Sequence, residues 1–249
     1  MFQGLNVAVV IPAFDEQERI VGVVTTLPAF VDRIIVVDDA SRDRTSQVLR
    51  ELGAPRVELI VHDSNRGVGA SIVSGYRAAR RERANHELNV ARADVIVVMA
   101  GDGQMDPSDL PALLIPIAEG RAEYVKGNRI AHARASDMPP VRRYGSALLG
   151  VLTSYAVGAP GLGDSQCGYT AISGSLVDRL PLESLWPRYG YPNDLLSQVC
   201  LASGRVIEVP VRPVYAGQKS GLKPRHFLLM LGLISRAYVR RARQATSRR

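Results

Sequence analysis

Asp94-Val95-Ile96-Val97-Val98-Met99-Ala100-Gly101-Asp102-Gly103-Gln104-Met105-Asp106-Pro107 decides the fold class of this 249-residue chain. The Val/Ile run has the composition of a strand buried on both faces, as in a parallel sheet covered by helices. It ends in small residues, a carboxylate and an amide. Hard oxygen ligands at such a strand's C-terminal edge stand where open α/β sheets bind their ligands, and they suit a divalent cation held against phosphates.

Two earlier segments repeat the pattern. Ile34-Ile35-Val36-Val37 runs directly into Asp38-Asp39-Ala40-Ser41-Arg42-Asp43-Arg44-Thr45. The first strand stops at Pro12 and opens onto Ala13-Phe14-Asp15-Glu16-Gln17-Glu18, an acidic first turn that a helix dipole favours. A single Asp at a strand end is equally a cap for the next helix. Three such ends, one of them carrying Asp-Gly-Gln, point instead to a shared ligand edge.

The periodicity predicts strands over residues 5–11, 33–37, 57–61 and 94–99, alternating with helices over 16–28, 43–52 and 69–83. That alternation implies a largely parallel sheet with right-handed crossovers. Beyond Pro107 the pattern predicts a helix to residue 119, a strand at 124–126, a helix over 141–157 and a glycine-rich turn over 158–163. A strand near 169–173, a helix over 192–203 and a strand over 205–211 complete it. Residues 83–92 read as a helix end plus loop, with His86 a solvated side chain.

A hydrophobic content of 46% is ample for one substantial core, and no linker or repeat divides the chain. Cys167 and Cys200 stand far apart with no CxxC or histidine partner, so neither a disulfide framework nor a zinc site is indicated and a reducing compartment fits. The N-terminus lacks a basic region followed by an apolar signal core, which predicts a cytoplasmic protein. A net charge of +7 suits an anionic partner such as a nucleotide or a phospholipid surface. Nucleic acid is disfavoured, because no helix-turn-helix, zinc-finger or aromatic RNP pattern is present. The apolar stretch 226–234 falls short of the roughly 20 residues that span a bilayer. It is followed by Arg236, Arg240, Arg241, Arg243, Arg248 and Arg249, which predicts either an interfacial amphipathic helix attracted to anionic headgroups or a helix packed on the domain with a basic tail. Asn65-Arg66-Gly67-Val68-Gly69 lacks the spacing of a dinucleotide fingerprint, and no Gly-x-Ser-x-Gly elbow or Walker A sequence occurs.

Taken in order, Val10-Ile11-Pro12-Ala13-Phe14-Asp15-Glu16, Val36 to Thr45, Asn65 to Ala70, Gly101-Asp102-Gly103-Gln104, Gly127-Asn128-Arg129, Asp164-Ser165-Gln166-Cys167-Gly168-Tyr169 and Glu208-Val209-Pro210-Val211 resemble the family-two inverting glycosyltransferases. Among these the pattern is most similar to dolichyl-phosphate mannose synthases and other polyprenyl-phosphate glycosyltransferases. The resemblance implies a single α/β nucleotide-sugar-binding domain of GT-A type over residues 1–223, its mostly parallel central sheet flanked by helices, with a basic amphipathic C-terminal helix over 224–249. It also implies peripheral attachment at the cytoplasmic face of the membrane.

By that resemblance Pro12, Ala13, Asp15, Glu16 and Asp39 line the base and ribose pocket, and Asp102 and Gln104 hold Mg2+ or Mn2+. Arg129, Arg142 and Ser146 contact phosphates, joined by Lys219 or Lys223. The implied reaction carries mannose or glucose from a nucleoside-diphosphate sugar, GDP-mannose or UDP-glucose, to a polyprenyl phosphate such as dolichyl or undecaprenyl phosphate. Asp194 is the candidate base should the acceptor be a hydroxyl of a glycan or glycolipid, or else a cap for its helix. Asp102, Asp194 and Arg142 are thus the expected catalytic residues. One departure stands out: the usual Asp-x-Asp metal motif has Ala100 in its first place, which leaves open a catalytically silent nucleotide-sugar binding protein. Trp186 is a candidate for stacking on a sugar face or for simple packing.

Overall fold

The computed structural model describes residues 1–85, 88–214 and 224–247. In chain order the first half consists of β1 (Val7–Ala13), α1 (Ile20–Thr25), β2 (Arg33–Asp38), α2 (Thr45–Leu52), β3 (Val57–Val61), α3 (Val68–Ala79), β4 (Arg83–Asn85), β5 (Leu88–Val90) and β6 (Val95–Val98). The second half adds α4 (Leu110–Ala118), β7 (Tyr124–Asn128), α5 (Pro140–Val157), β8 (Thr170–Ser173), α6 (Gly174–Val177), α7 (Tyr191–Leu201), β9 (Val206–Pro210) and α8 (Pro224–Ser247).

Seven strands form one sheet in the order β3-β2-β1-β6-β8-β7-β9. All neighbours pair in parallel except β8, which runs antiparallel to both β6 and β7. β2 and β6 are buried throughout and β1 at every residue but Pro12, and the alternate residues of these strands supply two separate cores. Val7, Val9 and Ile11 face a layer that includes Ile20, Leu49 and Leu110. Ala8 and Val10 face the opposite layer, built around Ile72, Tyr76, Leu149 and Leu195. The sheet is therefore covered on both sides, as a continuous Val/Ile strand demands.

Three elements differ from expectation. The helix predicted from residue 16 starts at Ile20, because the N–H groups of its intended first turn are committed elsewhere. Glu16 N donates to Thr45 Oγ1 and Gln17 N to Asp43 Oδ2, while Asp15 adopts a left-handed φ of 56° and accepts from Arg42 N. The predicted helix after Pro107 opens with a separate 3-10 turn, Pro107–Asp109, capped by the Asp106 side chain. Residues expected as a loop carry the short antiparallel ladder β4-β5.

α8 lies against α5 and α7 and sends Met230, Leu233, Ile234 and Ala237 into buried positions. It is thus integral to the domain's packing. No helix among the described residues is long and apolar enough to cross a membrane.

One close approach fixes the wall of the site. At the start of α3, Gly67 has φ 96°, and a Cβ on Gly69 would stand 2.1 Å from the Trp186 carbonyl oxygen. Backbone cannot yield as a side-chain tip can. Gly69→Ala should therefore cost about 3 kcal/mol or more of stability by overpacking, read as a lower urea midpoint than wild type. An unchanged midpoint would show that the 186–188 segment is free to move away.

Candidate active site

A cleft of about 690 Å³ opens at the C-terminal ends of β1, β6 and β7. This is where parallel strands leave room for a ligand. Pro12, Glu16, Arg19, Ala100, Asp102 and Gln104 line it together with Arg129, Arg142, Ser146 and Gln166 and with Tyr189 to Pro192. Six of the sequence-predicted residues, Pro12, Glu16, Asp102, Gln104, Arg129 and Arg142, are thus brought together, and Ser146 makes a seventh.

After β6, Gly103 turns the chain at φ 74° and Gln104 N donates to Asp102 Oδ1 at 3.0 Å. Burial pushes the Asp102 carboxyl above its ordinary range, against the Gln104 N–H and the Arg19 charge. Glu16 is raised as well, first by burial and further by the Asp102 charge, while its 3.1 Å pair with Arg19 acts the other way. Two partly desolvated carboxylates that oppose each other's ionisation, with an amide oxygen beside them, make a hard donor set suited to Mg2+ or Mn2+. Among the described residues no cluster of three His, Cys, Asp or Glu side chains is present, so diphosphate and water oxygens would complete the coordination.

The cleft lining also carries cations. Arg129 makes a bidentate pair with Asp164, Nε to Oδ2 at 2.7 Å and Nη2 to Oδ1 at 3.0 Å. Burial works to raise the Asp164 carboxyl, but Arg129 overrides it and leaves it below the usual range. Asp164 in turn follows Gly163, whose N–H is held by Glu208, and Glu208 also accepts from Asn128. The buried Lys126, its ammonium pushed down by burial, donates to the Cys167 carbonyl. These bonds fix the guanidinium's direction. Tyr189 is raised by burial, with Arg129 and Arg142 acting against it, which places both cations beside its ring.

Other predicted residues are positioned differently. Ala13 is buried in β1, and its carbonyl accepts from Asp39 N. Asp15 ties the first loop to Ser41 and Arg42 without lining the cleft. Asp39 is 3% exposed and accepts from Arg66 N and Gly67 N, with His62 Nδ1 at 2.7 Å and Ser74 Oγ on the other ring nitrogen. It anchors the loop that leads to α3. Lys219, Lys223 and His86 lie outside the described residues. Trp186 does not line the cleft; its Nε1 donates to Tyr189 O.

Asp194 requires correction. Its side chain is 1% exposed, accepts from Trp186 N at 2.8 Å and pairs with Arg240 at 2.8 Å. It does not line the cleft, so it is not in position to take a proton from an acceptor bound there. Helix capping is not its role either, since α7 begins at Tyr191. The sequence pointed to no role for Arg19, and it placed Asp164 in a motif without assigning it one. Arg19 had a local signal, three residues after Glu16, whereas the Arg129–Asp164 pair spans 35 residues and exists only in the fold.

Residues 8–143 match the domain Glycosyl transferase family 2. The UDP-N-acetylglucosamine–dolichyl-phosphate N-acetylglucosaminyltransferase of Methanococcus voltae is 30% identical over 222 residues, covering 83% of this chain and 84% of the relative. The undecaprenyl-phosphate mannosyltransferase of Micrococcus luteus is 26% identical over 83% of each chain. Among solved structures, glucosyl-3-phosphoglycerate synthase of Mycobacterium tuberculosis, in complex with Mn2+, UDP and glucosyl-3-phosphoglycerate, superposes with a TM-score of 0.64 at 20% identity, covering 95% of this chain and 78% of that one. At that identity the superposition speaks for the GT-A-like fold.

Proposed function

The chain belongs to glycosyl transferase family 2, and from that premise we propose that it transfers a hexose or N-acetylhexosamine from a nucleoside-diphosphate sugar to a polyprenyl phosphate. The observation that carries this reading is the charge of the cleft lining. Among the described lining residues the only carboxylates are Glu16 and Asp102, the pair suited to a metal, whereas Arg129 and Arg142, both near Tyr189, offer positive charge to an acceptor. A hydroxyl acceptor needs a base on its own side. A phosphate acceptor is already ionised and needs cations that hold it near the donor diphosphate. The names of the Methanococcus and Micrococcus relatives, which specify dolichyl and undecaprenyl phosphates, support the same acceptor class.

In this proposal Pro12 and the Asp39-anchored loop frame the nucleoside, and Asp102, Gln104 and Glu16 face its diphosphate. A bound Mg2+ or Mn2+ there supplies positive charge for the departing diphosphate; the Mn2+ and UDP held by the structural neighbour support the choice. Arg129 and Arg142 orient the acceptor phosphate, with Ser146 as a hydrogen-bond partner. An acceptor phosphate oxygen forms the new bond to the anomeric carbon from the face opposite the diphosphate. The carbon–oxygen bond to the diphosphate breaks, its electron pair leaves with the nucleotide, and the anomeric configuration inverts. No proton is transferred.

The test is to supply UDP-N-acetylglucosamine, UDP-glucose and GDP-mannose separately, with Mn2+ and a short-chain polyprenyl phosphate. The expected result is a glycosylated lipid phosphate from one of them. Transfer to the corresponding polyprenol, with none to its phosphate, would refute the acceptor class.

The raised carboxyls carry a consequence for pH. A group whose pKa is higher in the folded than in the unfolded protein stabilises the fold at low pH, and loses that effect as pH rises through the folded value. Ionised Asp102 and Glu16 are therefore a cost to the metal-free protein at neutral pH. Asp102→Asn should raise its Tm without metal while abolishing the further rise given by Mn2+ with UDP or GDP, as differential scanning fluorimetry would show. A lower metal-free Tm would mean that the carboxylate supports the fold.

A further inference from the structure

Ser74, His62 and Asp39 form a chain of hydrogen bonds across three elements. His62 follows β3, and its backbone N–H donates to Asp38 O at 2.9 Å, which brings its ring beside Asp39 at the end of β2. Nδ1 lies 2.7 Å from Asp39 Oδ1, and Nε2 lies 2.9 Å from Ser74 Oγ on α3. Asp39 also accepts Arg66 N on Oδ1 and Gly67 N on Oδ2. It is an acceptor throughout, so Nδ1 carries the donated proton and the Ser74 hydroxyl occupies the second ring nitrogen. His62 is 7% and Asp39 3% exposed. Water therefore does not replace these bonds, and each partner fixes the next.

The ends of the chain reach different parts of the fold. α3 lies close on β1 at Gly75, where a Cβ would overlap the Val10 side chain, so Ser74 sits on a helix that the core holds in place. At the other end Asp39 grips the turn that starts α3. That turn meets the segment ahead of α7: Ala70 N donates to Pro187 O at 3.0 Å, and a Cβ on Gly67 would stand 2.5 Å from the same oxygen. Val68 lines the cleft, and so do Tyr189 to Pro192 just beyond Pro187. A displacement of Asp39 is thus passed to the cleft lining through backbone contacts, which yield less readily than side-chain tips.

We infer that His62 is a positioning residue for donor binding: it does not line the cleft, but it holds Asp39, and through Asp39 the 66–70 turn, in the shape that receives the nucleoside. One rigid ring bridges the strand end and the helix. An asparagine in its place puts an N–H as many bonds from Cα as Nδ1, within reach of Asp39, but ends short of Ser74. The two bonds of the ring are therefore separable by substitution. The inference rests on the reading of the cleft as a nucleotide-sugar site.

The experiment is calorimetric titration of the full chain with UDP and with GDP, each with Mn2+, at a temperature where the variants are folded, with Tm measured alongside. Wild type should bind one of the two. His62→Leu, similar in size but without either ring nitrogen, should raise the Kd of that nucleotide by about tenfold or more, as expected when a buried hydrogen bond to a carboxylate is lost. His62→Asn should bring Kd back to within about threefold of wild type, because the bond to Asp39 is restored. Ser74→Ala, which leaves the ring in place, should raise Kd by about three- to fivefold. A role in stability alone would lower Tm and leave Kd of the folded variants at the wild-type value, which would overturn the inference. So would a His62→Asn that binds as weakly as His62→Leu. Should His62→Leu not fold, Ser74→Ala decides: a wild-type Kd there overturns the inference. A wild type that binds neither nucleotide would overturn the nucleotide-sugar reading itself, and this inference with it.

Discussion

Asp102→Ala should lower kcat by roughly 10²- to 10³-fold or more while the protein stays folded. The carboxylate lines the cleft and accepts the neighbouring Gln104 N–H. Removing it takes away a hard ligand where diphosphate charge grows in the transition state, and losing one such electrostatic partner costs about that factor. Ala100 sharpens the expectation. With no carboxylate at the first place of the motif, Asp102 and Glu16 are the carboxylates that line the cleft among the described residues, so neither loss has a ready substitute among them. Glu16→Gln should therefore also raise the Mn2+ concentration needed for half-maximal rate, with a smaller fall in kcat than Asp102→Ala. Full activity of wild type in excess chelator would remove the metal from the scheme. Full activity of Asp102→Ala would remove the residue.

Much of this arrangement was legible in the sequence because it is local. Val95 to Val98 and Ile34 to Val37 are buried because their side chains are all apolar, and the carboxylates that follow must emerge at the sheet edge. Asp102, Gln104 and Glu16 reach the cleft for that reason. Arg129 follows in the same way from the end of β7. What the sequence hid is long-range. Residues 16–19 are not helical because Thr45 and Asp43, more than twenty residues on, take their N–H groups. Asp194 stands at the right place in its motif to be a base, yet Arg240 on α8, 46 residues later, turns it into half of an ion pair.

Arg142→Ala and Asp194→Asn should separate chemistry from architecture. If Arg142 holds the acceptor phosphate, its removal forfeits a charge-assisted hydrogen bond and leaves acceptor and donor anions to repel each other. The expected loss is roughly 10²-fold in kcat/KM for the acceptor, with nucleotide binding and Tm close to wild type. Asp194→Asn should do the reverse. It breaks a pair whose carboxylate is 2% and whose guanidinium is 24% exposed, so part of the cost of the unpaired Arg240 is screened by water. A loss of about 1–3 kcal/mol follows, or roughly 3–10 °C in Tm for a chain of this size. At a temperature where the variant is folded, kcat should stay within about tenfold of wild type, because no proton is removed from a phosphate acceptor and the 10²- to 10⁴-fold contribution of a general base is not in use. A collapse of kcat in folded Asp194→Asn, with little effect from Arg142→Ala, would instead place a hydroxyl acceptor in the cleft and require Asp194 to leave Arg240 during turnover.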